Sequence, residues 1–183
     1  MDVLDTAIPE VKVIKPRRFE DERGFFSETF SERAFADHGV NIHFVQDNHA
    51  FSKRKHTLRG LHFQSSPAAQ DKLVRVVRGA VLDVAVDLRR GAPTFGKWVA
   101  RKLTEGNGEQ LLVPRGFAHG VLTLEDDTHV LYKVSTAYSP EHDLGVLWSD
   151  PEIGIVWGVE HSSVLLSEKD RAQPLLRDAR GLF

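Results

Sequence analysis

The chain has 183 residues, a formal net charge of −2 from 24 basic and 26 acidic side chains, and no cysteine. That length fits one domain, residues 1–183, able to bury a core without covalent staples. The missing cysteines exclude disulfides, thiolate nucleophiles and Cys-based metal sites, and the balanced charge lacks the basic footprint of a nucleic-acid binder.

Met1-Asp2-Val3-Leu4-Asp5 has neither the basic nor the apolar region of a signal peptide. No apolar run approaches the roughly 20 residues of a membrane helix, so no membrane association is expected and the cytoplasm is the expected location. From there, period-2 alternation predicts strands over residues 11–19, 25–30, 42–51, 58–64, 72–77, 81–88, 98–103, 109–113, 120–124 and 129–135. Asp21-Glu22-Arg23-Gly24, Gly91-Ala92-Pro93, Gly106-Asn107-Gly108 and Glu125-Asp126-Asp127 supply turns between them. Helix signals are few. Ser31 is placed to cap a short helix ending at Gly39, and Ser167 to cap another at Glu168-Lys169-Asp170. Many short strands without intervening helices predict an all-β sandwich or barrel.

Candidate chemistry concentrates at a few positions. His62 lies in Leu58-Arg59-Gly60-Leu61-His62-Phe63-Gln64, where alternation puts His62 with Gly60 and Gln64 on one face. A histidine there is a bonded core residue, a metal ligand or an acid–base group. Pro114-Arg115-Gly116-Phe117-Ala118-His119-Gly120 delivers a second histidine to the start of a strand. These two segments resemble the half-motifs of cupins, which are double-stranded jelly rolls. Metal-binding cupins place a second histidine where Gln64 stands, and a glutamate downstream where this chain has Lys72. An ammonium has no lone pair for a metal, so no metal is expected.

Lys72 shares a strand face with Val74 and Val76, and Tyr132 shares one with Val130 and Val134. An inward lysine is costly unless paired or functional; a lysine reaching out to solvent is the plain alternative. The inward tyrosine is either a core residue or an acid. Asp170 is either a partner for His62 or a surface charge on its helix. Arg23 and Arg59 are either a pyrophosphate clamp or surface arginines. Gln46-Asp47-Asn48-His49 is a polar patch within an otherwise apolar segment and a candidate binding segment.

Taken in order, Asp21-Glu22-Arg23-Gly24-Phe25-Phe26, Phe44-Val45-Gln46-Asp47-Asn48-His49, Leu58 to Gln64, Asp83 to Arg89, Pro93-Thr94-Phe95-Gly96, Pro114 to Gly120, Tyr132-Lys133 and Leu166 to Asp170 closely resemble the dTDP-4-dehydrorhamnose 3,5-epimerases of the dTDP-L-rhamnose pathway. The resemblance runs from about Ile8 to Leu175. It implies an all-β cupin jelly roll with a few short peripheral helices, working without a cofactor on a small-molecule sugar nucleotide. It also implies a homodimer with exchanged N-terminal strands. In the roles so implied, His62 is the base, Asp170 orients it, Tyr132 is the acid and Lys72 stabilises an enolate. Arg23, Glu28, Gln46, Asn48, Arg59, His119 and Lys169 hold the sugar nucleotide, and Phe26 helps stack on thymine. One position departs: the family often has a glutamate before the glycine of the loop at residues 138–145, where Asp143 offers a shorter reach. Rival readings are a relative acting at one carbon only, a non-catalytic sugar-nucleotide-binding cupin and a metal-dependent cupin.

Overall fold

The computed structural model describes all 183 residues as thirteen strands, two short helices and three single turns of 3-10 helix. In chain order the elements are β1 (Asp2–Asp5), β2 (Lys12–Lys15), β3 (Phe19–Asp21), β4 (Gly24–Phe26), α1 (Glu32–Ala36), β5 (Gln46–Ser52), β6 (Leu58–Gln64), β7 (Lys72–Arg78), β8 (Ala80–Asp87), β9 (Trp98–Thr104), β10 (Gln110–Val113), β11 (Phe117–Thr123), β12 (Thr128–Val134), β13 (Asp143–Gly145) and α2 (Glu168–Arg171). Two antiparallel sheets carry the fold, ordered β1-β2-β10-β7-β12-β5 and β13-β6-β11-β8-β9. The hairpin β3–β4 pairs only with itself. This is a jelly roll, as the strand pattern and the resemblance together predict.

Three apolar clusters hold the layers. Between the sheets, Val74, Val76 and Val130 from one face meet Val81, Ala85 and Phe117 from the other. Behind the smaller sheet, the C-terminal segment lays Trp148, Trp157 and Leu176 over Leu61, Val84 and Val86. On the outer face of the larger sheet, Phe35 of α1 covers Leu73 and Leu112. Apolar faces on both sides of β8 explain its almost continuous apolar sequence.

Several element ends differ from the sequence reading. The first long strand expected over 11–19 stops at Lys15, because Pro16 has no amide to give the ladder. The chain resumes as β3, outside both main sheets. The strand expected from residue 42 begins at Gln46, and the one expected from residue 120 begins at Phe117. Both helices form behind their expected caps. Ser31 Oγ accepts from the Ala34 amide at 3.4 Å and Ser167 Oγ from the Asp170 amide at 3.1 Å.

Strict alternation fails at one place in β6. His62 pairs with His119, yet Arg59 pairs with Val121, so the register slips by one residue at Gly60. A β-carbon at Gly60 would sit 2.6 Å from Gly120 Cα and 2.9 Å from the His119 carbonyl oxygen, and φ there is +138°. Only glycine permits that approach and that backbone. The slip turns Arg59 and His62, three residues apart, into the same cavity.

Candidate active site

A cavity of about 500 Å³ opens between the sheets. The smaller sheet contributes His62, His119 and Arg59, while the larger contributes Lys72 and Tyr132. A second, polar cavity of about 390 Å³ shares His62, Lys72 and Tyr132 with the first and adds Gln46, Asn48, Gln70, Tyr138, Asp143 and Lys169. These three shared residues therefore stand where two cavities meet. Together the cavities have the size of a site for a small ligand.

His62 Nε2 lies 2.5 Å from Asp170 Oδ1, and Asp170 is almost fully buried. Burial pushes the Asp170 carboxyl up, but hydrogen bonds from His62, Ser167 and the Gly60 amide outweigh it and hold it below the usual carboxylate range. Asp170 is thus ionised and can only accept, so Nε2 of His62 is the donor. The lone pair of the neutral ring is left on Nδ1. Helix capping builds this pair: Ser167 caps α2 and its hydroxyl also donates to Asp170 Oδ2 at 2.7 Å.

Across the gap, Tyr132 is half-buried, and burial raises its phenol above the ordinary tyrosine value. It therefore stays protonated at neutral pH. Lys72 Nζ donates to the His62 carbonyl oxygen at 3.4 Å. Desolvation lowers its pKa to about 8, against the opposing pull of Asp143 and Asp83. His119 is buried, with Nε2 2.8 Å from Asp83 Oδ1. Arg59 is held by the Phe51 carbonyl oxygen at 3.1 Å and Ser52 Oγ at 3.4 Å.

At the mouth of the polar cavity, Asp143 Oδ2 accepts from Tyr138 OH at 2.9 Å and from Lys169 Nζ at 2.5 Å. Pairing of β13 with β6 sets Asp143 beside Gln64. Tyr138 has no role in the sequence reading, which places it only in the loop at residues 138–145, yet it is 57% exposed and lines this cavity. Gln64 explains its placement. The Gln64 amide donates to the Ala68 and Ala137 carbonyl oxygens and accepts from the Ser139 amide, which fixes the loop that presents Tyr138. At the position where metal-binding cupins place a histidine, this chain has a loop clamp. No group of three or more His, Asp or Glu side chains converges anywhere in the fold.

Five sequence candidates fall elsewhere. On β5, Gln46 and Asn48 face the cavity, and alternation sends Asp47 and His49 to the outer face of the sheet. There Asp47 pairs with Lys133 at 2.9 Å, and His49 Nε2 lies 2.8 Å from His129 Nδ1. Asp47 and His49 are therefore outside the cavity of this chain. Arg23, Phe26 and Glu28 belong to the β3–β4 hairpin and its exit, and none lines either cavity. Arg23 bonds Asp21 instead, and Phe26 is 70% exposed.

A carboxylate-oriented histidine, a protonated phenol from the opposite sheet and a partly buried, desolvated ammonium around one cavity suit a cupin-fold enzyme to acid–base chemistry. The chain belongs to the dTDP-4-dehydrorhamnose 3,5-epimerase family, whose model matches residues 5–178. It is 54% identical over 170 residues to a curated dTDP-4-dehydrorhamnose 3,5-epimerase of Sinorhizobium fredii, covering 93% of this chain and 87% of that protein. With the Shigella flexneri enzyme of the same name it shares 50% identity, covering 93% of each. Among solved structures, the epimerase RmlC of Legionella pneumophila in complex with dTDP-4-keto-L-rhamnose superposes with a TM-score of 0.91 at 43% identity, over 96% of this chain and 93% of that one. The 3'-monoepimerase ChmJ of Streptomyces bikiniensis, in complex with dTDP-quinovose, gives 0.87 at 32% identity, over 95% and 87%.

Proposed function

We propose that this enzyme inverts C3 and C5 of dTDP-4-dehydro-6-deoxy-D-glucose, giving dTDP-4-dehydro-L-rhamnose for dTDP-L-rhamnose synthesis. The observation that carries the reading is the placement of His62 and Tyr132 on opposite sheets of one cavity. Inversion needs a base on one face of the sugar ring and an acid on the other. Protons beside a 4-keto group are acidic because the carbanion delocalises onto oxygen. Nδ1 of His62 takes such a proton, and Asp170 holds the imidazolium that forms. Lys72, with His119 beside it, meets the charge that develops on the ketone oxygen. Tyr132 then returns a proton to the opposite face. Solvent takes the proton from His62 and restores the one on Tyr132; repeating the cycle at the second carbon completes the reaction, and no cofactor takes part.

Arg59 and Lys169 supply positive charge for the diphosphate from two sides of the cavity pair, with Gln46 and Asn48 lining the path between. Tyr138, solvent-open at the mouth, offers a ring face for the nucleobase. Arg23, Phe26 and Glu28 reach a site in the proposed homodimer, each hairpin serving the partner's cavity. The exposed Phe19, Phe25 and Phe26 support this, since an unpartnered aromatic hairpin is poorly suited to water. The proposal places the enzyme in the cytoplasm.

The test is deuterium incorporation from D2O into the substrate, followed at C3 and C5 without added metal. Exchange at both carbons is expected, and its loss in His62→Ala. Full exchange by that variant would remove His62 from the base role. A single-carbon epimerase is the second reading, favoured by the likeness to ChmJ. Exchange confined to one carbon would select it.

A further inference from the structure

We propose that Asp83 is a positioning residue, the internal counter-charge that anchors His119 and holds Lys72 as a donor toward the substrate's ketone oxygen. This rests on the reading of Lys72 and His119 as the groups that meet that oxygen. Asp83 lies on β8 with its side chain between Val81 and Ala85, the residues that face the interior of the jelly roll. It is completely buried. One carboxyl oxygen accepts from His119 Nε2 at 2.8 Å; the other, Oδ2, is buried with no hydrogen-bond partner. A buried carboxyl that leaves half its capacity unused is costly as a purely structural element.

The groups around it explain what the charge does. From β11 comes His119, two residues along from the residue opposite Asp83. From β7 comes Lys72, which lines the same cavity as His119, the residue Asp83 bonds, and on which the Asp83 charge acts in the direction that keeps the ammonium. On β9, Arg101 stands opposite Asp83 in the ladder, but its guanidinium is engaged by Glu109 at 2.7 Å. His62 is already served by Asp170, Tyr132 is a neutral phenol, and Asp143 at the mouth assists Lys72 from the other side. Asp83 is thus a fully buried carboxyl standing behind the cavity-lining His119, with one oxygen unengaged. Without it, Lys72 keeps its desolvation cost and loses one of its two opposing charges.

The test compares wild-type protein with Asp83→Asn, which keeps the shape and removes the charge. The 15N signal of Lys72 Nζ is titrated in both proteins, and kcat and KM are measured across pH 6–10. The Lys72 titration and the alkaline limb of kcat/KM are both expected to move to lower pH by about one unit or more. Below that limb, kcat is expected to fall on the order of 10–100-fold, the scale of the carboxylate behind a metal-bound histidine, with KM little changed. An Asp83→Asn enzyme with an unmoved Lys72 titration and wild-type kcat would overturn the assignment. The NMR titration scores Asp83 without turnover, whereas absent exchange in the wild-type enzyme would count against the proposed function alone. Should Asp83→Asn not fold, imidazole 15N spectra of the wild type decide. A proton held on His119 Nε2 from pH 6 to 9 is expected, and an unprotonated Nε2 would overturn the anchoring.

Discussion

Replacing Lys72 by methionine should make the protein more stable and nearly inactive. Methionine keeps the length of the side chain and its apolar stem while removing the ammonium. In the folded protein the Lys72 pKa drops from 10.5 to about 8, mainly through desolvation. At about 1.4 kcal/mol per unit, that corresponds to about 3 kcal/mol spent on holding a charge in the cavity. The sign follows from proton counts. Between pH 8 and 10.5 the unfolded chain keeps a proton on Lys72 that the folded chain has released, so native stability rises through this window. Below pH 8 both states carry the proton and the full cost stands.

Lys72→Met should therefore exceed the wild type by about 3 kcal/mol at pH 7, and that advantage should shrink towards zero by pH 10.5. Urea unfolding at fixed protein concentration and several pH values measures it, because the stability of the proposed homodimer would depend on concentration. Activity should move the other way. Removing one preorganised donor from a developing oxyanion costs about 2.7–4 kcal/mol, or 10²–10³ in kcat. Wild-type kcat/KM should likewise fall above about pH 8 as Lys72 loses its proton. A variant no more stable than wild type at pH 7, or with an advantage that does not change with pH, would show that Lys72 is not a desolvated ammonium.

Other perturbations test separate parts of the site. Asp170→Asn removes the acceptor that fixes the His62 tautomer and should slow exchange at both carbons by about 10²–10⁴-fold; a rate within threefold would detach Asp170 from the mechanism. Gly60→Ala forces a β-carbon to 2.6 Å from Gly120 Cα at a φ of +138°. It should cost at least about 1–3 kcal/mol in urea unfolding and slow turnover by disturbing the His62–His119 register, whereas a loss under 0.5 kcal/mol would contradict that account. Co-expressing Arg23→Ala with His62→Ala tests the shared site. If each hairpin serves the partner's cavity, mixed dimers contain one complete site and recover about a quarter of wild-type activity; if the hairpin serves its own chain, they recover none.

The two periodicities of the backbone account for what the sequence made legible. Period 2 on β7 and β12 turns Lys72 and Tyr132 towards the interior valines, and a serine cap on α2 announces the turn that carries Asp170. The same rule, carried one step further, would have removed Asp47 and His49 from the candidate list, since they alternate with Gln46 and Asn48. It fails at Gly60, where a one-residue slip depends on a glycine in the neighbouring strand, a fact of pairing that no single segment contains. Motifs that read as chemistry also divide by partner. Asp87 is consumed by Arg89 and Thr94, and Arg115 of the Pro114–Gly120 motif is consumed by Asp71, so these conspicuous polar motifs brace loops. Asp83 lies in the same run as Asp87 and looks identical to it in sequence. Only the fold, by burying it against His119 and leaving one oxygen unengaged, separates a residue that positions the site from one that holds a turn.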